Sequence, residues 1–149
     1  MAEQSCPLPS FEPPDAARRR MLEARRIAVV GLSDEPSRAS FGVASYLLSA
    51  GKEVVPINPN CERVLGLKCY RTLADAPGPI DLVDVFRRPE FCADVARDAV
   101  AVGAKGLWLQ SGIVSDGARE IAGRAGIDYV EDRCLMVDLM RHTRKPAAR

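Results

Sequence analysis

One stretch of the chain indicates its fold: IAVVGLSDEPSRASFGVASYLLSAG, which runs from Ile27 to Gly51. The stretch begins with an apolar run typical of a buried strand, and it leaves that strand at Gly31 for a polar loop. Apolar residues then recur at the spacing of one helix face, at Val43, Tyr46, Leu47 and Ala50. Because glycine commonly ends a helix, Gly51 marks the helix end. The stretch therefore predicts a strand, a polar turn and a covering helix.

The same unit recurs further along the chain. Two later apolar stripes at helical spacing also precede a glycine: Phe91, Val95, Ala99 and Val102 before Gly103, and Ala118, Ile121, Ala122 and Ala125 before Gly126. The strand candidates are RIAVVG, EVVPI, IDLVDVF, GLWLQ and DYVE. Short strands alternating with helices favour a parallel sheet covered on both faces. We predict an α/β, Rossmann-like, doubly wound fold with three layers and a mainly parallel sheet of about five strands.

The chain of 149 residues has the length of one domain. We assign residues 1–14, which contain four prolines, to an extended lead, 15–142 to a single domain, and 143–149 to a basic tail. A short helix is expected from about Asp15 to Arg25, with Asp15 as its N-cap. The segment CERVLGLKCYRTLADAP interrupts the rhythm and predicts a surface excursion with a small strand or one short helix.

Composition argues against several classes of protein. The formal charge is +1, which does not favour general attraction to nucleic acid or to membranes. The five cysteines are odd in number and have no C-x-x-C spacing, and His142 is the single histidine, so neither a disulfide framework nor a metal site is predicted. With no long apolar run and no signal-peptide layout, we expect a cytoplasmic protein with reduced thiols.

In doubly wound sheets, ligands bind outside the carboxyl ends of the strands, where the strand order reverses. After the first strand, Gly31 lets the chain turn sharply, and Arg38 would contact a phosphate with both guanidinium nitrogens. Hydroxyl donors near the following helix start come from Ser33, Ser37 and Ser40. The alternative is that the serines cap the helix and that Arg38 is solvated.

The first loop does not match a dinucleotide fingerprint. It lacks the later glycines through which a backbone approaches a pyrophosphate. The second strand is followed by Asn58 and Asn60, and no acid for a ribose hydroxyl appears before Glu62. NAD is therefore disfavoured.

Two further loops carry candidate binding groups. Arg87 and Arg88 follow a strand directly beside Phe86, so one arginine would meet a phosphate while the other, or Phe86, covers a base. A surface ion pair is the alternative. After the next strand, a small polar turn suited to backbone contact contains Gln110, Ser111, Gly112 and Ile113. Trp108 lies inside that strand and is expected in the core.

The last strand ends near Glu131, Asp132 and Cys134. A cysteine at the carboxyl edge of the sheet would face a thiol-bearing ligand, and a buried, inert Cys134 is the alternative. No catalytic residue and no metal ligand is assigned.

Four stretches follow one another along the chain: residues 27–60, which end in KEVVPINPN, then DLVDVFRRPEF, GAKGLWLQSGI and DRC. Together they resemble the small stand-alone CoA-binding proteins. These proteins are similar in turn to the N-terminal CoA-binding domain of the succinyl-CoA synthetase alpha subunit. The resemblance covers about Ile27 to Arg141. It implies a Rossmann-like fold with coenzyme A as the ligand. The chain departs from the family's acid–histidine pair near the C-terminus, because here the pair is Asp138–Leu139.

The resemblance also implies roles for individual residues. The loop from Gly31 to Arg38, which includes Leu32, Ser33 and Ser37, would hold the phosphates. Asn58, Phe86, Arg87 and Arg88 would surround the nucleotide end. Gln110, Gly112 and Ile113 would border the pantetheine arm.

Three functional hypotheses follow. The first is non-catalytic binding of coenzyme A or an acyl-CoA, as a sensor or carrier, in a protein that would form a homodimer and would bind neither nucleic acid nor membranes. The second is an enzyme that acts on a CoA thioester or uses NAD(P), with Glu131, Asp132 or Cys134 in its cleft. The third is a thiol-regulatory protein in which Cys134 forms a mixed disulfide with CoA.

Overall fold

The computed structural model describes residues 13–144. In chain order the elements are α1 (Asp15–Leu22), β1 (Arg26–Val30), α2 (Ala39–Ser49), β2 (Glu53–Ile57), β3 (Arg63–Val64), β4 (Leu67–Lys68), a 3-10 turn (Leu73–Asp75), β5 (Leu82–Val85), α3 (Pro89–Ala101), β6 (Gly106–Leu109), α4 (Asp116–Ala125), β7 (Asp128–Val130) and α5 (Leu135–Arg144). The strands and helices alternate as the apolar periodicity predicts.

The main sheet has five strands in the order β2-β1-β5-β6-β7, and all neighbouring strands are parallel. This arrangement confirms the predicted Rossmann-like α/β fold. The strand order reverses at β1, because β2 lies on one side of β1 and β5 lies on the other. Val30 is in register with Ile57 and with Val85, so the loops after these three strands leave the sheet at the same edge. The gap between β1 and β5 is the topological switch point.

Alternate residues of each strand supply the two cores. On one face, Ala28 and Val83 pack with the helices α3 and α4; on the other face, Val29 and Trp108 pack with α1, α2 and α5. Trp108 is fully buried, as predicted, and its indole N–H donates to the Arg133 carbonyl oxygen at 2.8 Å. Helices on both faces complete the three layers and leave the carboxyl edge of the sheet for the connecting loops.

The chain ends differ from the expected boundaries. The helix α1 stops at Leu22, before Arg25, and Asp15 is its first residue and not its N-cap. Pro14 occupies the cap position, and the exposed carboxylate of Asp15 pairs with Arg18 at 3.4 Å. The helix α5 continues to Arg144, two residues beyond the predicted boundary of the tail. Residues 1–12, most of the predicted lead, and residues 145–149 lie outside the described residues.

The predicted surface excursion contains both a hairpin and a helical turn. The strands β3 and β4 pair antiparallel, and the Thr72 hydroxyl oxygen accepts from the Asp75 N–H at the start of the 3-10 turn. Between them, Tyr70 forms a parallel bridge with Ile57. The excursion therefore covers the free edge of β2, which would otherwise expose unpaired backbone groups.

Among residues 13–144, no helix combines the length and the apolar character needed to cross a membrane.

Candidate functional site

The switch point is built around close contact between two loops. Gly31 follows β1 with a φ of 83°, and its N–H donates to the Ile57 carbonyl oxygen at 2.9 Å. A Cβ atom at this position would overlap the carbonyl oxygen of Phe86, which follows β5. Arg87 crosses the same place, since its Cδ lies 3.4 Å from where that Cβ would be. A glycine is required here both by the backbone conformation and by the available space.

The next residues of the loop are fixed by contacts within the protein. Leu32 is fully buried in the core beside α2, so only its backbone can face a ligand. The Leu32 carbonyl oxygen accepts from the Asn58 side-chain amide at 3.0 Å, and the Asn58 oxygen accepts from the Asn60 N–H at 2.8 Å. Asn58 therefore uses both ends of its amide to position the loop.

The serines divide into two groups. The Ser40 hydroxyl oxygen is buried and accepts from the Ser33 N–H at 3.0 Å, while the Ser33 hydroxyl oxygen accepts from the Glu35 N–H at 3.1 Å. These two hydroxyls hold the loop in shape and do not cap α2. Ser37 is exposed.

The start of α2 is open. Arg38 is its N-cap residue, no side chain of residues 13–144 caps its first turn, and that turn contains no acid. By contrast, Ser115 caps α4 by accepting from the Ala118 N–H at 3.1 Å. The Arg38 side chain is exposed and forms no ion pair with any residue that the structure describes. Free N–H groups at a helix start, together with the helix dipole, favour an anion.

The arginines after β5 have different surroundings. The Arg87 guanidinium carbon lies 4.6 Å from the centre of the Phe91 ring, which is 41% exposed. Arg88 is the N-cap of α3, and its exposed side chain lies 4.0 Å from Glu90, the limit of an ion pair. Phe86 is half-buried against the α2 side of the core. Sequence reasoning missed the contact between Arg87 and Phe91, although their i, i+4 spacing at a helix start was a signal for it.

A buried acid lies in the strand that leads to these arginines. Asp84 is fully buried, and neither carboxyl oxygen has a hydrogen-bond partner among the described residues. Burial raises the pKa of Asp84 well above its usual value; the nearby Val85 N–H lowers it to a smaller extent without meeting the geometry of a hydrogen bond. Burial in these surroundings favours the neutral carboxyl over the carboxylate.

The loop after β6 is tightly held. Gln110 is 4% exposed, and its side-chain oxygen accepts from the Leu135 N–H at 2.8 Å, which caps α5. The Gly112 N–H, in a residue with a φ of 81°, donates to the Asp132 carboxylate at 2.7 Å. Ile113 packs against the core beside α3 and α4 and accepts from the Asp132 N–H at 3.1 Å. This role of Asp132, which has a φ of 55°, was not predicted.

The other groups after β7 are also engaged within the protein. Glu131 accepts from the Tyr129 hydroxyl at 2.8 Å and lies 3.7 Å from Arg119. Burial, with the neighbouring Glu131, raises the pKa of Tyr129. Arg133 holds Asp138 through two hydrogen bonds of 2.6 and 3.0 Å. Cys134 is half-buried at the start of α5.

The structure thus brings every predicted site residue to the carboxyl edge of the sheet, and it separates them by role. Among the predicted binding residues, the side chains exposed at this edge are those of Ser37, Arg38 and Arg88, with Arg87 half-buried above Gly31. The acids Asp34, Glu35 and Asp132 are also exposed at this edge. Side chains occupied in holding the loops or filling the core are those of Leu32, Ser33, Asn58, Phe86, Gln110 and Ile113.

Another depression lies at the opposite, amino edge of the sheet. It has a volume of about 280 Å³ and lies between α1 and the starts of the strands. Its charged groups largely neutralise one another, because Arg20 pairs with Asp128 at 2.8 Å and Lys105 lies 3.6 Å from Asp81. It is remote from the switch point, and we place the candidate site at the carboxyl edge.

Residues 25–140 match the protein family described as CoA binding domain. The chain belongs to this family. It is 38% identical over 126 residues to the uncharacterized protein YneT of Bacillus subtilis (strain 168), a match that covers 84% of this chain and 93% of YneT. Its structure is similar to that of a hypothetical protein from Pyrococcus horikoshii OT3, with a TM-score of 0.83, 35% identity, and coverage of 90% of this chain and 98% of the other.

A CoA-binding domain of this kind also occurs inside larger proteins. The chain is 29% identical over 121 residues to acetate–CoA ligase (ADP-forming) II of Archaeoglobus fulgidus. That match covers 80% of this chain but only 17% of the ligase. These findings confirm the predicted resemblance.

Proposed function

We propose that the chain binds coenzyme A or an acyl-CoA in the crevice between the loops after β1 and β5, as a non-catalytic sensor or carrier in the cytoplasm. The observation that carries this proposal is the close approach of the Phe86 carbonyl oxygen and the Arg87 side chain to Gly31, which leaves no room for a Cβ atom there. This contact joins the two loops at the switch point. It supports the assignment of the uncapped start of α2 and the cation of Arg87 to one site.

The charges at the crevice suit the phosphates of coenzyme A. The ligand carries a diphosphate and a separate 3′-phosphate. The N–H groups at the start of α2, with Arg38, would hold the diphosphate. Arg87 and Arg88 would meet the 3′-phosphate, and the exposed ring of Phe91 would support the Arg87 guanidinium beside the nucleotide.

The loop after β6 suits the uncharged part of the ligand. Two of its polar side chains have partners within the protein, since Gln110 caps α5 and Asp132, after β7, accepts from the Gly112 N–H. A rigid wall of backbone groups would border the pantetheine arm without adding charge. Glu131 and Asp132, the acids of the enzyme hypothesis, hold Tyr129 and Gly112, and this occupation supports the non-catalytic alternative.

The end of β2 favours coenzyme A over NAD(P). The residue that follows the strand is Asn58, and its amide is bonded to Leu32 and to Asn60. A ribose-binding acid at this place is a usual feature of NAD sites.

Calorimetric titration with CoA, dephospho-CoA, NAD and NADP tests the proposal. We expect CoA to bind more tightly than the other three ligands. Arg87→Ala should weaken the affinity for CoA about tenfold and should reduce the difference in affinity between CoA and dephospho-CoA. Arg124→Ala, in the last turn of α4 at the opposite edge, is the matched control and should bind CoA like the wild type. Tight binding of NAD without binding of CoA would refute the proposal.

A further inference from the structure

Two cysteines meet at the end of β2, outside the set of residues assigned to the ligand. The Cys69 thiol donates to the Asn58 carbonyl oxygen at 3.5 Å, and the Cys61 N–H donates to the same oxygen at 3.4 Å. The Cys69 N–H also donates to the Glu62 carbonyl oxygen at 2.9 Å, so Cys69 is paired across the β3–β4 hairpin with the direct neighbour of Cys61. Both side chains pack on the α2 side of the core.

This arrangement is compatible with a disulfide. Cys69 lies opposite Glu62 and therefore diagonal to Cys61, and the Cys69 sulfur and the Cys61 backbone nitrogen contact the same Asn58 carbonyl oxygen at 3.5 and 3.4 Å. A disulfide joins residues whose Cα atoms lie about 4.4–6.8 Å apart. The hairpin joins the two residues by a short segment of chain, which keeps the two thiols near each other in the reduced protein. The thiols are close enough that Cys61 contributes to raising the pKa of Cys69, after burial as the main cause.

The two thiols differ in access to solvent. Cys61 is half-buried, whereas Cys69 is 7% exposed. An oxidant therefore reaches Cys61 first, and Cys69 stays a protonated thiol beside it. This combination of an accessible cysteine and a neighbouring resolving cysteine is typical of thiols that oxidise reversibly.

We propose that Cys61 and Cys69 form a reversible disulfide under peroxide and that the disulfide weakens ligand binding at the loop after β1; the second half of this inference rests on the proposed binding of coenzyme A. In the first step, the Cys61 thiolate attacks one oxygen of hydrogen peroxide, the O–O bond breaks, and Cys61 becomes a sulfenic acid. In the second step, the Cys69 sulfur attacks the Cys61 sulfur, the S–O bond breaks, and water leaves with the thiol proton. Two thiols and one peroxide give one disulfide and two waters, and a dithiol reductant reverses the change.

The coupling to the ligand site runs through Asn58. Oxidation removes the hydrogen that Cys69 donates to the Asn58 carbonyl oxygen. The side chain of the same Asn58 holds the Leu32 carbonyl oxygen in the loop that follows Gly31. A second link is electrostatic, because Asp34 of that loop lies close enough to Cys69 to contribute to raising the pKa of the thiol. A change at the thiol pair therefore acts on the residues that shape the loop.

Two other cysteines serve as internal comparisons. Cys92 is fully buried on the opposite face of the sheet, and its thiol contacts the Arg87 and Arg88 carbonyl oxygens. Burial raises its pKa to about 11. Cys134 is half-buried at the start of α5 and is the thiol of the mixed-disulfide hypothesis. We expect neither to take part in the peroxide-driven bond.

The disulfide is tested by treating the full chain with hydrogen peroxide, blocking the remaining thiols, and mapping peptides by mass spectrometry. We expect a loss of two hydrogen atoms and a cross-linked peptide pair that joins Cys61 to Cys69. Cys134→Ser should give the same product, and Cys61→Ser should not. In Cys69→Ser, a sulfenic acid trapped by dimedone should accumulate at Cys61. If Cys61 and Cys69 of the wild-type protein remain separate thiols after peroxide treatment, the proposal is wrong, and this result needs no variant.

A calorimetric titration of the reduced and oxidised wild type with CoA tests the coupling. We expect binding to weaken at least about tenfold on oxidation and to recover after treatment with dithiothreitol. Peroxide should leave the affinity of Cys61→Ser unchanged. If the disulfide forms but the affinity does not change, the regulatory part is wrong. If the reduced protein does not bind CoA, the proposed function is wrong, and the peptide map still decides whether the thiol pair forms.

Discussion

The loop after β1 and the loop after β6 leave the same edge of the sheet, but they use their polar groups in opposite ways. After β1, no side chain of residues 13–144 caps the N–H groups at the start of α2. The Arg38 side chain is exposed and forms no ion pair with any of these residues. After β6, Gln110 caps α5, and Asp132 accepts from the Gly112 N–H at 2.7 Å. One loop offers free charge and free donors, whereas the other is satisfied by its own protein.

This difference separates two kinds of site residue. In the first loop, an exposed side chain should contribute to affinity and little to stability. In the second loop, a buried side chain should contribute to stability, and under the proposed function its backbone would border the ligand. Removal of an exposed side chain in the first loop should therefore change the affinity for CoA, and removal of a buried side chain in the second loop should change the free energy of unfolding.

The largest effect is expected at the contact between the loops. Gly31→Ala should lower the free energy of unfolding by about 3 kcal/mol, because the new Cβ meets the Phe86 carbonyl oxygen and the φ of 83° is unfavourable for alanine. Gly51→Ala is the matched control, since its φ is 85° but its added Cβ would meet nothing within 4 Å. The control should lose only about 1–2 kcal/mol in urea unfolding. Equal losses of unfolding free energy in the two variants would show that the overlap with the Phe86 carbonyl oxygen does not destabilise Gly31→Ala.

Below the open loop, the buried carboxyl of Asp84 should make stability depend on pH. Its folded pKa is raised, so above the unfolded pKa of about 3.9 the folded state binds more protons than the unfolded state. The contribution of Asp84 is fully present below that unfolded pKa and is lost as pH rises through the folded pKa. Asp84→Asn should therefore be more stable than the wild type near neutral pH by about 1–2 kcal/mol.

Chemical unfolding at a series of pH values measures this effect. The two proteins should converge below about pH 3, because the carboxyl is then protonated in both the folded and the unfolded state. Asp98→Asn, on the exposed side of α3, makes the same change of atoms without burial and should follow the wild-type curve. A destabilised Asp84→Asn at neutral pH would argue for an ionised Asp84.

In the tightly held loop, Gln110→Ala should destabilise the fold by about 1 kcal/mol, because the Leu135 N–H at the start of α5 loses its acceptor. Affinity for CoA should stay near that of the wild type when both are measured below the unfolding transition. Ser111→Ala, at the exposed neighbouring position, should change neither quantity. A large loss of affinity with unchanged stability would make the Gln110 side chain a ligand contact and would remove the contrast between the loops.

In the open loop, Arg38→Ala should leave the free energy of unfolding within about 0.5 kcal/mol of the wild type, because the side chain is exposed. Affinity for CoA should fall about fivefold to tenfold through the loss of a phosphate contact. Arg38→Lys should recover part of the loss, since it keeps the charge without the paired donors. If the affinity of Arg38→Ala for CoA is unchanged, the diphosphate does not bind at the start of α2.

Much of the fold could be predicted because strand and helix periodicities are local properties. The apolar run before Gly31 and the stripe ending at Gly51 gave β1 and α2 nearly to the residue, and the positions after the strands placed the site at one edge. The helix α5 was not predicted, although Leu135 and Leu139 lie four residues apart and are both buried on one face. Its capping by Gln110, 25 residues earlier in the chain, could not be predicted from the local sequence. The same limit applies to Arg87 and Phe91, whose contact depends on side-chain direction at a helix start.

The sequence by itself determined the alternation of elements, the parallel sheet, the family and the edge of the sheet at which the candidate site lies. These features follow from periodicity, from turn residues and from the order of motifs. The tertiary structure alone decided which polar groups remain free, because hydrogen bonding is a competition among neighbours that are distant in the chain. Through that competition Asn58 and Gln110 are occupied, Arg38 is left exposed, and Cys61 and Cys69 share one carbonyl oxygen.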